Sequence, residues 1–149
     1  AGLVLDLYSG SGLFAIPLAR QGARVVAVEE NRQAVKDAEA NLRLNRVPDG
    51  AVRVLAARAE EALARLSRER FDLAVLDPPR PGCPDTVLDG VGHLQPRRVI
   101  YVSCNPERLA VERPRIARAG YRLSGLQGVD MFPHTDHIEA VAVFDRQGA

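Results

Sequence analysis

The run LVLDLYSGSGLFAIPLARQG, Leu3 to Gly22, decides the fold. Leu3 to Tyr8 is rich in Leu and Val and reads as a strand, and it stops at Ser-Gly-Ser-Gly. Leu13 to Gly22 reads as a helix closed by Gly22, with Pro17 early in it or kinking it. Gly10 and Gly12 let the backbone turn tightly and approach a ligand with no side chain in the way.

The same alternation continues downstream. RVVAVEE (24–30) is a second strand, and Asn31 is placed to cap a helix over 32–45 on which Ala34, Ala38, Leu42 and Asn45 fall near helical spacing. VRVLAA (52–57) and FDLAVLDPP (71–79) are strands three and four, the latter apolar enough to be buried on both faces. Helices over 60–69 and 86–94 follow them. RRVIYVSC (97–104) is strand five, and a helix over 107–119 is expected to kink or restart at Pro114. Strands over 121–132 and 137–146 have no helix between them and should pair antiparallel. This pattern predicts an α/β fold: a mostly parallel seven-stranded sheet, helices on both faces, and an antiparallel last strand. Ligands in such sheets bind beyond the carboxyl ends of the strands.

The 149 residues suit one domain, 1–149, and no internal linker divides it. Hydrophobic content of 46% and charged content of 26% are those of a soluble globular chain. No run spans a membrane. Cys83 and Cys104 form no disulfide framework, so a cytoplasmic setting is expected. A net charge of +1 does not announce nucleic acid. Because the first motif starts at Asp6, the chain reads as a fragment of something longer.

Four motifs carry chemistry. With Ala15, the first loop fits the dinucleotide pattern G-x-G-x-x-A, and Glu29 stands where an acidic residue grips ribose hydroxyls, so a nicotinamide enzyme is a legitimate reading. Asp6, four residues before Gly10, is more like the loop that takes S-adenosylmethionine. DPPRPG (77–82) stiffens the exit of strand four and turns Asp77 and Arg80 toward the same edge. YVSCNPE (101–107) delivers Cys104 to the ligand edge, just before Asn105 and Pro106 break the strand. DMFPHTDHIEAVAVF (130–144) sets Asp130, His134, Thr135, His137 and Glu139 ahead of the last strand. There Glu139 reads as a general base at the mouth of the pocket. A metal reading, with His134, His137 and Glu139 converging, has no Cys pair or second cluster behind it, and no metal is expected.

In order and over nearly the whole chain, DLYSGSGLFAIPLA, VVAVEENRQAVKDAEANLRLN, LDPPRPG, VIYVSCNPERLA and DMFPHTDHIEAV resemble the S-adenosylmethionine-dependent RNA uracil-5-methyltransferases. The resemblance implies a Rossmann-like class I methyltransferase fold and 5-methyluridine formation in rRNA or tRNA, with S-adenosyl-L-homocysteine as by-product. It implies Cys104 as nucleophile, Glu139 as base and Asp77 as the holder of the uracil ring. Around the cofactor it implies Asp6, Tyr8, Gly10, Gly12, Phe14, Glu29, Asn31, Glu60 and Asp77. Around the base it implies Arg80, Asn105, Phe132, His134, Thr135 and His137, with Tyr101 a further apolar neighbour. RNA is the expected partner, held mainly by N-terminal segments that the family has and this chain lacks; no membrane and no obligate protein partner are expected. Cys83, Arg108, Val111 and Pro114 depart from the family's pattern.

Those residue types suit the reaction. A thiolate adding to C6 of uracil makes C5 enolate-like. After methyl transfer a carboxylate must remove the C5 proton so that the thiol can leave. Three rivals stand beside this reading. A cytosine enzyme would place a cysteine directly after the strand-four proline, where this chain has Pro79 or Arg80. A nicotinamide oxidoreductase leaves Cys104 and Glu139 without roles. A non-catalytic RNA-binding relative would not need the pair.

Overall fold

The computed structural model describes residues 2–130 and 138–148. Seven strands form one sheet: β1 (Leu3–Leu7), β2 (Arg24–Glu29), β3 (Val52–Ala56), β4 (Leu73–Leu76), β5 (Arg98–Ser103), β6 (Tyr121–Asp130) and β7 (Ile138–Arg146). Their order across the sheet is β3-β2-β1-β4-β5-β7-β6. The first five run parallel. β7 runs antiparallel to both β5 and β6, slotted between them.

The helices are α1 (Ala15–Arg20), α2 (Arg32–Leu44), α3 (Ala59–Arg65), α4 (Asp85–Leu94) and α5 (Pro106–Arg118). Strand residues alternate between two apolar layers, as a period of two requires. Val4, Val25, Ala27 and Val75 pack with Ala15 and Ala19 of α1 on one face. Leu5, Leu7, Val26, Val28 and Leu76 pack with α3, α4 and α5 on the other, through Leu63, Val87, Val91 and Ile116. Among the described residues, no helix is long and apolar enough to cross a membrane.

Four local expectations meet different outcomes. Asn31 caps α2, its Oδ1 accepting from the Ala34 N–H at 2.9 Å. The buried stripe of α2 is Val35 and Ala38, however, one residue off the expected Ala34 start. α5 runs through Pro114 without restarting. Pro114 lies on the solvent face, so the carbonyl that loses its N–H partner faces water rather than the core. The strand expected over 121–132 is described as far as Asp130.

Candidate active site

The carboxyl ends of β1, β2, β4 and β5 lie along one edge of the sheet, and the chain leaves β1 there through a left-handed turn. Tyr8 (φ 61°), Gly10 (φ 57°) and Gly12 (φ 101°) all have positive φ. For Tyr8 that conformation costs roughly 1–2 kcal/mol, so the surroundings must enforce it. They do so with hydrogen bonds. The Ser9 N–H donates to the Val28 carbonyl at 3.0 Å, the Gly10 N–H to Glu29 Oε1 at 2.9 Å, and Asn41 Nδ2 to the Ser11 carbonyl at 3.0 Å. Glu29 Oε2 accepts from the Asn31 N–H at 2.8 Å. Glu29 is thus a brace for the loop, and each of its oxygens still has a lone pair for a ligand hydroxyl. A methyl group placed on Gly10 would meet nothing within 4 Å.

Beside this loop opens a cleft of about 580 Å³. Tyr8, Glu29, Glu60, Asp77 and the prolines of the 78–84 loop line it. Of the residues expected around a cofactor, Gly10 and Gly12 form the turn above it. Phe14 instead packs against the α1-side apolar layer, and Asn31 is occupied as the α2 cap. A second depression, about 550 Å³, lies between α4 and α5 and includes Asp89, His93, Gln95 and Arg115. It sits at the opposite edge of the sheet, and its Arg115 is already paired to Asp89 at 2.9 Å and to Asp85 at 3.3 Å.

The edge is strongly acidic. Asp6 is fully buried, and neither of its oxygens has a hydrogen-bond partner among the described residues. Burial first, and then the neighbouring Asp77 and Glu29 carboxylates, push its pKa up to about 7; the Ala15 amide opposes this without reaching hydrogen-bond geometry. Asp77 is half-buried, and burial together with the Glu139 carboxylate pushes it up to about 6. Both folded-state values lie above the unfolded one. Each group therefore favours the fold when protonated, and that contribution is lost as pH rises. The ligand-free chain should lose stability between about pH 4 and about pH 7 through Asp6, by roughly 4 kcal/mol at most. Asp6→Asn should abolish most of that slope, so its melting-temperature advantage over the natural sequence should widen from acid to neutral pH. Parallel pH profiles for the two proteins in thermal melts would refute the assignment.

β5 and β7 end their pairing next to the thiol and the carboxylate. Their antiparallel register pairs Ser103 with Ala140. One step further along stand Cys104, exposed at the bend where β5 ends, and Glu139 on β7. On the other side of β5, Tyr101 pairs with Leu76, which precedes Asp77. The Ser103 hydroxyl accepts from the Asn105 N–H at 3.1 Å and donates to the Asn105 carbonyl at 2.8 Å, fixing the bend. Asn105 caps α5 through the Arg108 N–H and donates from Nδ2 to the Arg80 carbonyl at 3.3 Å. Arg80 itself is exposed and does not line the cleft.

Cys83 is different in kind. It is buried, and burial plus the Glu112 carboxylate push its thiol up to about 12. Tyr101, expected beside the base, is 1% exposed and donates its hydroxyl to Glu112 Oε1 at 2.7 Å, so it is a core residue. Phe132, His134, Thr135 and His137 lie outside the described residues, as do both histidines of the metal reading. Asn41 and Glu112 were missed in the sequence. For Asn41 no signal marks it. Glu112 falls three after Leu109 and four before Ile116, on the apolar stripe of α5, and that spacing could have found it.

The family described as tRNA (Uracil-5-)-methyltransferase matches residues 1–147. The 23S rRNA (uracil(1939)-C(5))-methyltransferase RlmD of Aeromonas hydrophila is 45% identical over 144 residues, covering 97% of this chain and 32% of that protein. The Pyrococcus abyssi tRNA (uracil-54, C5)-methyltransferase, solved with S-adenosyl-L-homocysteine, superposes with a TM-score of 0.83 at 35% identity, over 95% of this chain and 33% of that one. The Synechocystis magnesium protoporphyrin IX methyltransferase with bound SAM reaches a TM-score of 0.76 at 15% identity, over 98% of this chain and 70% of that one, and shares the fold alone. The chain spans about a third of the length of the curated relatives it matches. One fold serves unlike substrates in these proteins, but the uracil-methylating ones share sequence with this chain from end to end. With a match running from residue 1 to 147, the chain belongs to the tRNA (uracil-5-)-methyltransferase family.

Proposed function

We propose that the protein carries a methyl group from S-adenosylmethionine to C5 of a uridine in RNA, by way of a covalent bond between Cys104 and C6 of the base. The observation that supports this reading is the β5–β7 register, whose last pair, Ser103 with Ala140, is flanked in sequence by the exposed Cys104 and by Glu139, with Asp77 following the end of the adjoining strand β4. Relatives named for uracil methylation in rRNA and in tRNA support the substrate class.

The cleft fits the cofactor in two respects. Open space lies over Gly10, where a ligand can approach backbone, and the acidic edge formed by Asp6, Glu29 and Asp77 suits a cation. When bound, S-adenosylmethionine supplies an electrophilic methyl on a sulfonium centre. Glu29 and Glu60 accept from ligand hydroxyl and amino groups, Glu29 without releasing the loop. Asp77 orients the base, accepting from the ring N3–H. Cys104 adds to C6, loading electron density onto C5, which becomes the methyl acceptor. Glu139 then takes the C5 proton, and the electron pair of that C–H bond expels the Cys104 thiolate. The nucleotide must leave its stack to reach this edge, at a cost of a few kcal/mol.

Glu29→Ala tests the cofactor half. It removes a ligand acceptor and orphans the Gly10 and Asn31 N–H groups, so affinity should fall by about 1–3 kcal/mol, or roughly 5- to 150-fold. Isothermal titration with S-adenosylmethionine and, separately, NAD is the measurement. An unchanged Kd would remove Glu29 from the site, and heat with NAD alone would favour the oxidoreductase reading.

A further inference from the structure

Glu112 has no part in the chemistry above, yet among the described residues only Asp6 is a more deeply buried charged side chain; Glu112 is 2% exposed. Helix α5 is otherwise an ordinary amphipathic helix, and a leucine at this position would continue the stripe of Leu109 and Ile116. An ionised carboxylate buried in a core seldom stabilises more than an apolar side chain of the same volume. Its contacts show what it does instead. Oε1 accepts from the Cys83 N–H at 2.9 Å and from the Tyr101 hydroxyl at 2.7 Å. Oε2 lies 2.9 Å from Arg108 Nε, an ion pair lacking hydrogen-bond alignment. The carboxylate also rests against the α-carbon of Gly82, at φ 85°, where any Cβ would collide with it.

These contacts join three segments. Gly82 and Cys83 belong to the loop that begins at Asp77 and walls the cleft. Tyr101 sits on β5 three residues before Cys104. Arg108 sits on the first turn after Cys104. A second tie, from Asn105 Nδ2 to the Arg80 carbonyl, joins the same loop to the same helix. We infer that Glu112 is a positioning residue, holding the Asp77–Pro84 loop in register with β5 and α5 so that Asp77 and Cys104 keep their spacing; this rests on the uridine-methylation reading. The network is built to keep its protons. Burial pushes the Tyr101 hydroxyl and the Cys83 thiol up, so both stay neutral and Tyr101 stays a donor to Glu112.

The test uses the natural protein with S-adenosylmethionine and substrate RNA, at a temperature well below every variant's melting point. Glu112→Gln keeps the shape but sets an amide NH₂ against Arg108 or against Tyr101 and the Cys83 N–H. It should lower kcat by about 10- to 100-fold, the loss expected from misplacing reacting groups by an ångström. Cofactor affinity should fall by less than kcat, because the loop walls only one side of the cleft and Glu29 and Glu60 stand on the other. Tyr101→Phe should lower kcat in the same direction, and the double variant should lose no more than Glu112→Gln alone. A folded Glu112→Gln with natural kcat, or fully additive losses, would overturn the inference and leave Glu112 a packing residue. Should Glu112→Gln fail to fold, Tyr101→Phe decides alone on the same criterion. Hydrogen exchange at the Cys83 amide gives a readout independent of activity. Faster exchange in Glu112→Gln is expected, and unchanged exchange would also overturn it. If the natural protein methylates no uridine, the functional reading falls, and the exchange result still reports on the loop.

Discussion

Cys104→Ala should abolish both methylation of RNA and any covalent protein–RNA complex. The expected loss in kcat is about 10⁴-fold or more, as for removal of other nucleophiles. On the proposed mechanism the thiol provides the one step that activates C5, and the other cysteine of this chain cannot replace it. Cys83 is buried and its thiol is pushed up to about 12, so it is neither reachable nor ionised near neutrality. Folding should be untouched, because Cys104 is exposed and exposed substitutions shift stability by about 0.5 kcal/mol or less. The measurement pairs methyl incorporation from labelled cofactor with a denaturing gel of the protein–RNA mixture. An adduct surviving in Cys104→Ala, or one mapping by peptide mass to Cys83, would refute the assignment.

Glu139→Gln should fail later and leave a different trace. On the proposed mechanism, attack by Cys104 and methyl transfer do not need the carboxylate, but loss of the C5 proton does. Turnover should fall by about 10²- to 10⁴-fold, the usual share of a general base. A slow-migrating complex should accumulate, carrying RNA on Cys104, and should vanish in the double variant with Cys104→Ala. Glutamine is the right replacement because Glu139 is half-buried beside Asp77 and an amide fills the same space. It also removes one of the charges that push Asp77 up, so ring binding through an ionised Asp77 should extend to lower pH. Natural turnover in Glu139→Gln would move the base elsewhere, with Asp77 next.

The parts of this site that could be read from sequence are those made by short-range rules. Gly10 and Gly12 are demanded by a left-handed turn, Asn31 by the helix after it, and the end of β5 by Asn105 and Pro106. The order of strands four and five followed from alternation, and the β6–β7 pairing from the lack of a helix between them. Side-chain contacts across the chain were another matter. The spacing of Leu109, Glu112 and Ile116 could mark Glu112 as inward-facing despite the charges of ERLAVERPR, but only packing reveals that its partners are 11 and 29 residues away. Tyr101 looked like a ring beside the ligand because nothing local says which face of β5 it takes. Pro114 looked like a break because its exposure, which makes it tolerable, depends on where α5 docks.

The interior place of β7 matters to a chain still leaving the ribosome. β1, β2 and β3 pair near neighbours and can organise the glycine turn as soon as they emerge. β5, by contrast, has no partner on one side until residues about forty positions later arrive. Until then the apolar run Val99 to Val102 is a bare sheet edge, prone to pairing with other chains. The same strand brings Glu139. A product cut before β7 would therefore carry Cys104 without Glu139, on an open edge prone to aggregation. Closing that edge and delivering Glu139 are thus the same event, the insertion of one strand.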